Sequence, residues 1–495
     1  MLKIGMYEQD LTPIGPVNLP GQFYQRVSDK VESKVCANIF ACEGEDGAQL
    51  IIAAIDQTSI TSALYNAIKE EVAKKCPQID AQKLIVSATH IHTAPGYKSP
   101  VKEVLKGASF DNIYNYFPVG SRYVPLCENA EYMDEEEYFV ILKDKIADGI
   151  VSAWNKRQKA YIAPEFGRAV VGHSRRVAYN DGTAKMYGIA DKATFSEMES
   201  GNDSGVELLY VFDESKKPMG VIANIACPAQ VLEHCSFISS DYWGKTREML
   251  KQDLGSDFVT VGLCAAAGCQ APRDMIRFVL PDTMDPNLVR DNEQRPRKTD
   301  PDMYAIEGAI EIGERVSMEI LRKLKYAKEN MQEDAAVKNE VKNLNLPLRK
   351  VTETDRLNAQ KSIDEYFNKH QKKEYDAYDK AAIHIFVGVL DRYKQQETER
   401  FFKMELHTAR LGNIAFATNP FELFLDYGNK IRARSVATQT FLIQLACGKG
   451  GYLPTKKAEQ GSHYSAYVAS GNVGHDGGEI LVGETLETIA ELFKD

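Results

Sequence analysis

Short apolar runs that end in turn residues alternate along this chain with longer segments of helical periodicity. The runs at 35–42 and 49–56 flank Glu45-Asp46-Gly47 and predict neighbouring strands of a buried sheet. Further elements are predicted as strands at 84–86, 221–230 and 258–268, and as helices at 61–75, 134–156, 301–330 and 352–380. This alternation predicts an α/β fold in which helices flank a large mixed β-sheet. Because no internal repeat or low-complexity linker divides the chain, residues 1–495 are predicted to form a single domain.

Two hairpins and one long loop complete the pattern. Asn180-Asp181-Gly182 is a turn signal between two short strands of 170–188, and Leu411-Gly412-Asn413 divides a second pair. Residues 97–132 are rich in Tyr, Pro, Gly and Asn and have weak periodicity. They predict a lid whose aromatic rings would stack on a sugar or cover an acyl chain.

The most informative motif is SATHIHTAPG at 87–96, in which His90 and His92 are separated by one residue. In an extended strand, residues i and i+2 point to the same face, so both imidazoles are predicted to converge on one point. Pro95-Gly96 then ends the strand, which places the pair at a strand-to-loop junction, a common position for active sites. The plain alternative is a strand end with two solvated or core histidines, since two ligands alone do not make a metal site.

Composition and charge restrict the class of protein. With 44% hydrophobic and 26% charged residues, the chain is typical of a soluble globular protein. Its net charge of −10 argues against a nucleic-acid partner, and no stretch is long and apolar enough to span a bilayer. The nine cysteines have no paired spacing and no signal peptide is recognisable, which favours a cytoplasmic location. A secreted or periplasmic location would apply if a leader had been removed.

Other predicted strand ends carry side chains with possible chemistry, namely Cys227, Glu422 and Tyr452. Polar groups at the ends of several strands of an α/β sheet form a crevice there, so catalytic residues are predicted on strand-end loops. Each residue also has a simpler interpretation: a buried small hydrophobe for Cys227, the opening of a helix for Glu422 and a packed ring for Tyr452. Three further histidines are predicted on helix or strand surfaces: His370, His384 and His407.

These motifs together resemble the N-terminal catalytic domain of the neutral/alkaline (non-lysosomal) ceramidase family, a group of zinc amidohydrolases. The similarity extends through nearly the whole chain, in family order: DLTP (10–13), SATHIHTAPG (87–96), NIACPAQ (224–230), ISSDYWG (238–244), AAAGCQAPRD (265–274), NPFELF (419–424) and GYLPT (451–455). The C-terminal β-sandwich domain of true ceramidases is expected to be absent.

The resemblance implies a zinc ion held by two histidines, a glutamate and a tyrosine. Three of these ligands become His90, Glu422 and Tyr452, whereas Cys227 stands where the family has its second zinc histidine. A cysteine thiolate is a good zinc ligand, which favours Cys227 in that place. The alternatives are that His234 takes the position or that no protein ligand does.

The resemblance also implies roles around the metal. His92 suits proton transfer or oxyanion stabilisation. Arg175 resembles an arginine that lines the family's site, and Tyr464 resembles a second active-site tyrosine; a surface salt bridge and a packed ring are their simpler interpretations. Ala271 stands where the family has a serine, and its side chain cannot exchange a proton.

The predicted function is therefore zinc-dependent hydrolysis of an amide or ester bond by metal-activated water. The predicted substrate is a small-molecule or lipid-like amide and not membrane ceramide. The altered positions Cys227 and Ala271 favour an alternative, a metal-binding but catalytically weakened relative that acts as a binding protein. No sequence feature predicts the oligomeric state.

Overall fold

The structure, a computed structural model, describes residues 1–100, 113–277 and 304–494. These residues form twenty-one β-strands and nine α-helices. In chain order the strands are β1 (Lys3–Asp10), β2 (Cys36–Glu43), β3 (Gln49–Ile55), β4 (Leu84–Ala88), β5 (Arg122–Tyr123), β6 (Gln158–Arg168), β7 (His173–Ser174), β8 (Arg176–Tyr179), β9 (Ala184–Met186), β10 (Phe195–Met198), β11 (Gly205–Asp213), β12 (Pro218–Ile225), β13 (Val259–Cys264), β14 (Gln270–Ala271), β15 (Val337–Pro347), β16 (Glu374–Tyr375), β17 (Phe401–Leu411), β18 (Ile414–Thr418), β19 (Phe421–Leu423), β20 (Gln439–Ile443) and β21 (Gly451–Leu453). The helices are α1 (Ser62–Lys75), α2 (Glu135–Asn155), α3 (Asp241–Leu254), α4 (Ile306–Ala327), α5 (Glu353–Lys369), α6 (Ala377–Thr398), α7 (Leu425–Arg434), α8 (Lys456–Gly461) and α9 (His475–Leu492).

An eight-stranded mixed sheet has the order β13-β12-β11-β6-β1-β2-β3-β4. Strand β1 joins its two halves, because it pairs with β2 along its whole length but with β6 only at Lys3 and Ile4. The sheet turns back on itself at this joint, and β13 lies against β2 and β3. Helices α1 and α2 pack beside one half, and α3 and α4 beside the other. The predicted fold class, a large mixed sheet flanked by helices, is confirmed.

The sequence explains why these segments form these elements. Strands β2 and β3 are buried along nearly their whole length, and a strand covered on both faces is typically a continuous apolar run. Helix α2 begins after Asp134, whose carboxylate accepts hydrogen bonds from the backbone N–H groups of Glu136 and Glu137. This cap, together with the acidic first turn, stabilises the positive end of the helix.

A four-stranded sheet, β15-β17-β18-β20, contains the predicted C-terminal hairpin. Strands β17 and β18 pair antiparallel around Gly412, whose φ of 62° suits the turn. Strand β20 is parallel to β18 and contacts β11, β12 and β13. The segment that follows β20 also bonds the end of β4, since Ala88 N–H donates to the carbonyl of Leu445 at 3.2 Å. The two sheets therefore bring their strand ends together.

Most predicted elements are found, with two corrections. The turn at Asn180-Asp181-Gly182 does connect two strands, β8 and β9. The single helix predicted at 352–380 is wrong, because Asp376 and Asp379 form a capping box that begins a new helix, α6. His407, predicted on a surface, is fully buried and its Nε2 lies 3.2 Å from the hydroxyl of Tyr65.

Two further observations concern the predicted lid and the membrane. Residues 101–112 of the lid predicted at 97–132 lie outside the described residues, and the remainder contains a short 3-10 helix, Ile113–Tyr116, and β5. Among the helices of the described ranges, none has both the length and the apolar character needed to cross a bilayer.

A buried ion pair connects the two halves of the large sheet close to the end of β4. Asp56, which follows β3, is fully buried and pairs with Arg247 of α3. The same carboxylate accepts hydrogen bonds from the backbone N–H of Cys36 at 2.9 Å and from the hydroxyl of Thr89 at 3.2 Å. Since Thr89 immediately precedes His90, this ion pair supports the backbone that carries the predicted site.

Candidate active site

The two histidines of the motif lie just beyond β4 and not within it. Strand β4 ends at Ala88, and the backbone of His90 adopts a left-handed φ of 66° while its N–H donates to the carbonyl of Gln57 at 3.0 Å. The prediction that an extended strand aligns His90 and His92 is therefore wrong. The rings nevertheless approach edge to face, with centroids 5.0 Å apart, because the turn and not the strand directs them.

The orientation of the His90 ring is fixed by a hydrogen bond to a backbone carbonyl. Its Nδ1 lies 2.6 Å from the carbonyl oxygen of Thr58, which accepts only, so Nδ1 carries a proton. The opposite nitrogen, Nε2, lies 3.4 Å from a carboxylate oxygen of Glu422. An unprotonated Nε2 and a carboxylate oxygen are both acceptors and would repel each other at this distance. The geometry therefore fits either a hydrogen on Nε2 that is donated to Glu422 or a metal ion bound by both atoms.

Strand pairing explains why Glu422 and Tyr452 are adjacent. Strands β19 and β21 are parallel, and Glu422 is directly opposite Tyr452 in their register. Burial alone would raise the pKa of Glu422, but His90, Arg175 and a hydrogen bond from Tyr452 together lower it. Burial and the charge of Glu422 raise the pKa of Tyr452 well above its usual value. Glu422 is therefore an anion, and Tyr452 a hydrogen-bond donor, at neutral pH.

Arg175 lies beside these residues and not on the surface. It is only 3% exposed, and one terminal nitrogen lies 3.3 Å from the hydroxyl of Tyr452, 3.2 Å from the carbonyl of Gly268 and 4.0 Å from Glu422. A buried guanidinium at these distances places a permanent positive charge in the cluster.

Gln230 connects His92 to Arg175 and was not singled out from the sequence. Its side-chain oxygen accepts a hydrogen bond from Arg175 at 3.3 Å, which leaves its amide nitrogen to donate to Nε2 of His92 at 2.7 Å. Burial, His90, Arg26 and Arg175 hold the pKa of His92 well below its usual range. His92 is therefore neutral. The only available signal for Gln230 was its position at the end of NIACPAQ.

Tyr464 is close to the same cluster through its ring. The rings of Tyr452 and Tyr464 meet edge to face with centroids 5.5 Å apart. Burial and Glu422 raise the pKa of Tyr464 to about 12, so its hydroxyl is protonated at neutral pH. Arg176 is fully buried and donates to the backbone carbonyls of Ser462 and Tyr464, so it holds this loop in place.

The structure does not bring Cys227 into contact with the other candidate ligands. Its thiol is fully buried, 3.4 Å from the carbonyl of Pro228 and 3.6 Å from that of Val171, and burial raises its pKa well above the usual value. The alternative ligand, His234, is exposed, with its ring 6.1 Å from that of Tyr304. Ala271 is buried in β14.

Three side chains here could hold a zinc ion, namely His90, Glu422 and Tyr452. Across the described ranges, no three side chains of the types His, Cys, Asp and Glu are close enough to hold a metal, so a third donor must be of another type. The hydroxyl of Tyr452, which donates a hydrogen bond to Glu422, is a donor of another type. The fixed Nδ1–H of His90 also presents Nε2 as a ligand, which is the usual arrangement at zinc sites.

Gly21 offers a direct test of the position of His92. A Cβ added at Gly21 would lie 2.6 Å from the imidazole of His92, and the φ of Gly21 is +103°. We expect Gly21→Ala to displace the imidazole and lower the turnover of a cleaved amide on the order of 10- to 100-fold. Gly15→Ala is the matched control, because Gly15 has a φ of +91° with open space around it. Equal kinetic effects of the two variants, measured as kcat/KM, would contradict this prediction.

The fold is mixed α/β, and the polar side chains of the candidate site lie where the strands of two sheets end. This is the ceramidase fold. The structure is similar to that of a ceramidase complexed with C2, with a TM-score of 0.68 and 13% identity over 99% of this chain and 75% of that chain. It is also similar to the neutral ceramidase from Pseudomonas aeruginosa, with a TM-score of 0.66 and 15% identity over 100% and 75% of the two chains. The predicted resemblance is confirmed for the fold.

The sequence comparisons gave no match. No family model matches the chain, and no curated protein matches it.

Proposed function

We propose that this chain is a zinc-dependent amide hydrolase of the ceramidase type. The observation that carries the proposal is the convergence of His90, Glu422 and Tyr452, with Arg175 beside them. Similarity to solved ceramidase structures supports amide hydrolysis as the reaction. The guanidinium and amide groups around the cluster favour a small or polar amide, or an ester, over ceramide in a membrane.

His90, Glu422 and Tyr452 would hold the metal. Zinc bound in this way supplies a Lewis acid and a water molecule whose pKa is lowered to roughly 7. Arg175 stabilises negative charge that develops on the substrate's carbonyl oxygen, because its charge is buried and already in place. The hydroxyl of Tyr464 is a second donor on that side.

His92 is suited to stabilising an oxyanion through its ring N–H. It is neutral, and Gln230 fixes its tautomer by donating to Nε2, so the ring proton is on Nδ1. Because the amide of Gln230 occupies Nε2, the ring offers Nδ1–H, which meets no acceptor in hydrogen-bond geometry among the described residues and can donate to negative charge that forms on the substrate.

The test combines metal content with turnover. We expect the purified protein to bind one equivalent of zinc, measured by plasma mass spectrometry, and to cleave N-acyl amides in a panel of varied acyl length. Removal of zinc with a chelator should abolish cleavage, and added zinc should restore it. Protein that takes up no zinc would refute the proposal.

The same measurement decides whether Cys227 is the fourth ligand. A zinc ligand must be deprotonated, and the buried thiol of Cys227 faces two carbonyl oxygens. We therefore expect Cys227→Ala to retain its zinc. Cys264→Ala is the matched control, since Cys264 is also fully buried and burial raises its thiol pKa to about 12. Loss of zinc in Cys227→Ala alone would make Cys227 a ligand.

Ala271 favours a second candidate, a metal-binding protein without turnover. Its methyl group is buried in β14 and cannot exchange a proton at the position where the resemblance implies a serine. One equivalent of zinc with no cleavage of any amide or ester in the panel would establish this candidate over the hydrolase.

A further inference from the structure

A loop at residues 18–27, closed at its base by an antiparallel bridge, extends across the candidate site. Gly21, near its tip, lies against His92, since a Cβ added there would be 2.6 Å from the imidazole. Two residues further on, the ring of Phe23 lies 6.0 Å from the ring of Tyr464, centroid to centroid. The loop therefore contacts both of the residues that the proposed function places beside the reacting carbonyl as hydrogen-bond donors.

A series of ring contacts connects Phe23 to the candidate metal ligands. The rings of Phe23 and Tyr464 meet at 72°, and Tyr464 in turn meets Tyr452 with centroids 5.5 Å apart. The ring of His384, on α6, lies 4.5 Å from that of Phe23. Its Nδ1 is 2.6 Å from the carbonyl oxygen of Ala381, a contact that fixes the imidazole. Phe23 therefore joins the rings of the candidate site to a side chain of α6.

Arg26 holds the loop in this position. It is only 2% exposed, and its N–H groups donate to the carbonyls of Pro20 and His92, each at 2.7 Å. The side-chain amide of Gln22 donates to the carbonyl of Glu233 at 3.1 Å. Moving the tip of the loop away would leave buried donors of the guanidinium unsatisfied, which costs free energy. The tip is therefore a fixed wall of the site.

The rings on this wall suit an apolar group of a substrate. Phe23 and Tyr464 are both half-buried, so neither ring is fully enclosed by the core. Aromatic side chains with a few polar groups beside them are the usual lining of a pocket for a small molecule. A substrate whose carbonyl accepts a hydrogen bond from Tyr464 would have its attached groups within reach of Phe23.

We infer that Phe23 is a specificity-determining residue that limits the length of the apolar group attached to the scissile amide. The inference rests on the proposed amide hydrolysis. In a groove that is open at its far end, each added methylene group buries apolar surface and normally strengthens binding. A group that must stop at a fixed ring cannot gain in this way, and a chain too long for its pocket is rejected.

The experiment measures kcat/KM for two series of amides, because the apolar group can belong to the acyl side or to the amine side. The first series is N-acetyl-, N-hexanoyl- and N-decanoylethanolamine, and the second is N-ethyl-, N-hexyl- and N-decylacetamide. In one of the two series we expect the wild type to disfavour the longest member relative to the middle one on the order of 10- to 100-fold. Phe23→Ala should remove most of this difference by lowering KM for the longest member, and Phe23→Leu should remove part of it.

Phe166→Ala is the matched control, since it removes the same ring from another part of the fold. Phe166 lies on β6, is 42% exposed and has the guanidinium of Arg168 at 4.9 Å from its ring. It should leave the length limit unchanged. The inference would be overturned by an undiminished limit in Phe23→Ala, by the same loss in Phe166→Ala, or by a wild-type kcat/KM that rises to the longest member in both series.

Failure of the length limit can be told apart from failure of the proposed hydrolysis. If the purified protein cleaves no member of either series, the hydrolysis is contradicted, and calorimetric binding of the same amides tests the limit alone. In one of the series, binding of the middle member that is roughly tenfold tighter than that of the longest in the wild type, but not in Phe23→Ala, supports the inference. Equal binding of the two lengths, or absence of binding, overturns it.

Discussion

Replacing His90 with alanine is expected to abolish zinc retention and to lower amide hydrolysis by more than about 100-fold. Loss of a residue that merely orients a metal ligand typically costs 10- to 100-fold, so loss of a ligand should exceed that range. Thr58 holds Nδ1 of this imidazole and so directs Nε2 at Glu422, and alanine removes that nitrogen donor. Zinc content by plasma mass spectrometry and kcat/KM for the best amide in the panel measure the two effects.

Two further variants separate loss of the metal from loss of the fold. Glu422→Gln keeps the shape of the side chain but removes the anion beside His90 and Arg175, so it should also lose zinc. His370→Ala removes a histidine at the end of α5 and should change neither zinc content nor turnover. Circular dichroism should be the same for all three variants. A His90→Ala protein with full zinc and full activity would place the metal, or the chemistry, elsewhere.

The strands and turns of this fold could be predicted from the sequence because each is specified by a few consecutive residues. The apolar runs around Glu45-Asp46-Gly47 became β2 and β3, and Asn180-Asp181-Gly182 became the turn between β8 and β9. Even the missed break between α5 and α6 has a readable signal, the capping box of Asp376 and Asp379.

The site depends on contacts that no local pattern encodes. Glu422 meets His90 only because the segments that follow β18 and β20 pack against the end of β4. Family resemblance supplied that connection, whereas alternation along a strand gave the wrong reason for the approach of His90 and His92. Resemblance alone also missed Gln230, because an amide that orients two neighbours has no distinctive spacing.

Replacing Asp56 with alanine is expected to lower the free energy of unfolding by about 3–5 kcal/mol, the usual cost of removing one partner from a buried ion pair. Arg247 would keep a charge that is 4% exposed, the N–H of Cys36 would lose its acceptor, and the hydroxyl of Thr89 would keep only the carbonyl of Ile55 at 3.4 Å. Because Thr89 precedes His90, turnover and zinc affinity should fall as well. Urea unfolding followed by circular dichroism measures the change in stability.

The loss of unfolding free energy in Asp56→Ala is expected because the ion pair is buried, and not because a charge is removed. A carboxylate in an exposed ion pair is the control for this explanation. Glu365 pairs with Lys361 on the solvent-exposed side of α5, where both side chains are more than half exposed. Glu365→Ala should therefore cost no more than about 0.5 kcal/mol. The double variant Asp56→Leu/Arg247→Met replaces both charges with apolar groups and should be more stable than Asp56→Ala, since it leaves no isolated buried charge. If Asp56→Ala cost as little as Glu365→Ala, Arg247 would have to reach water or another anion, and the end of β4 would owe its position to the strand pairing with β3 and to the hydrogen bond between Ala88 and Leu445.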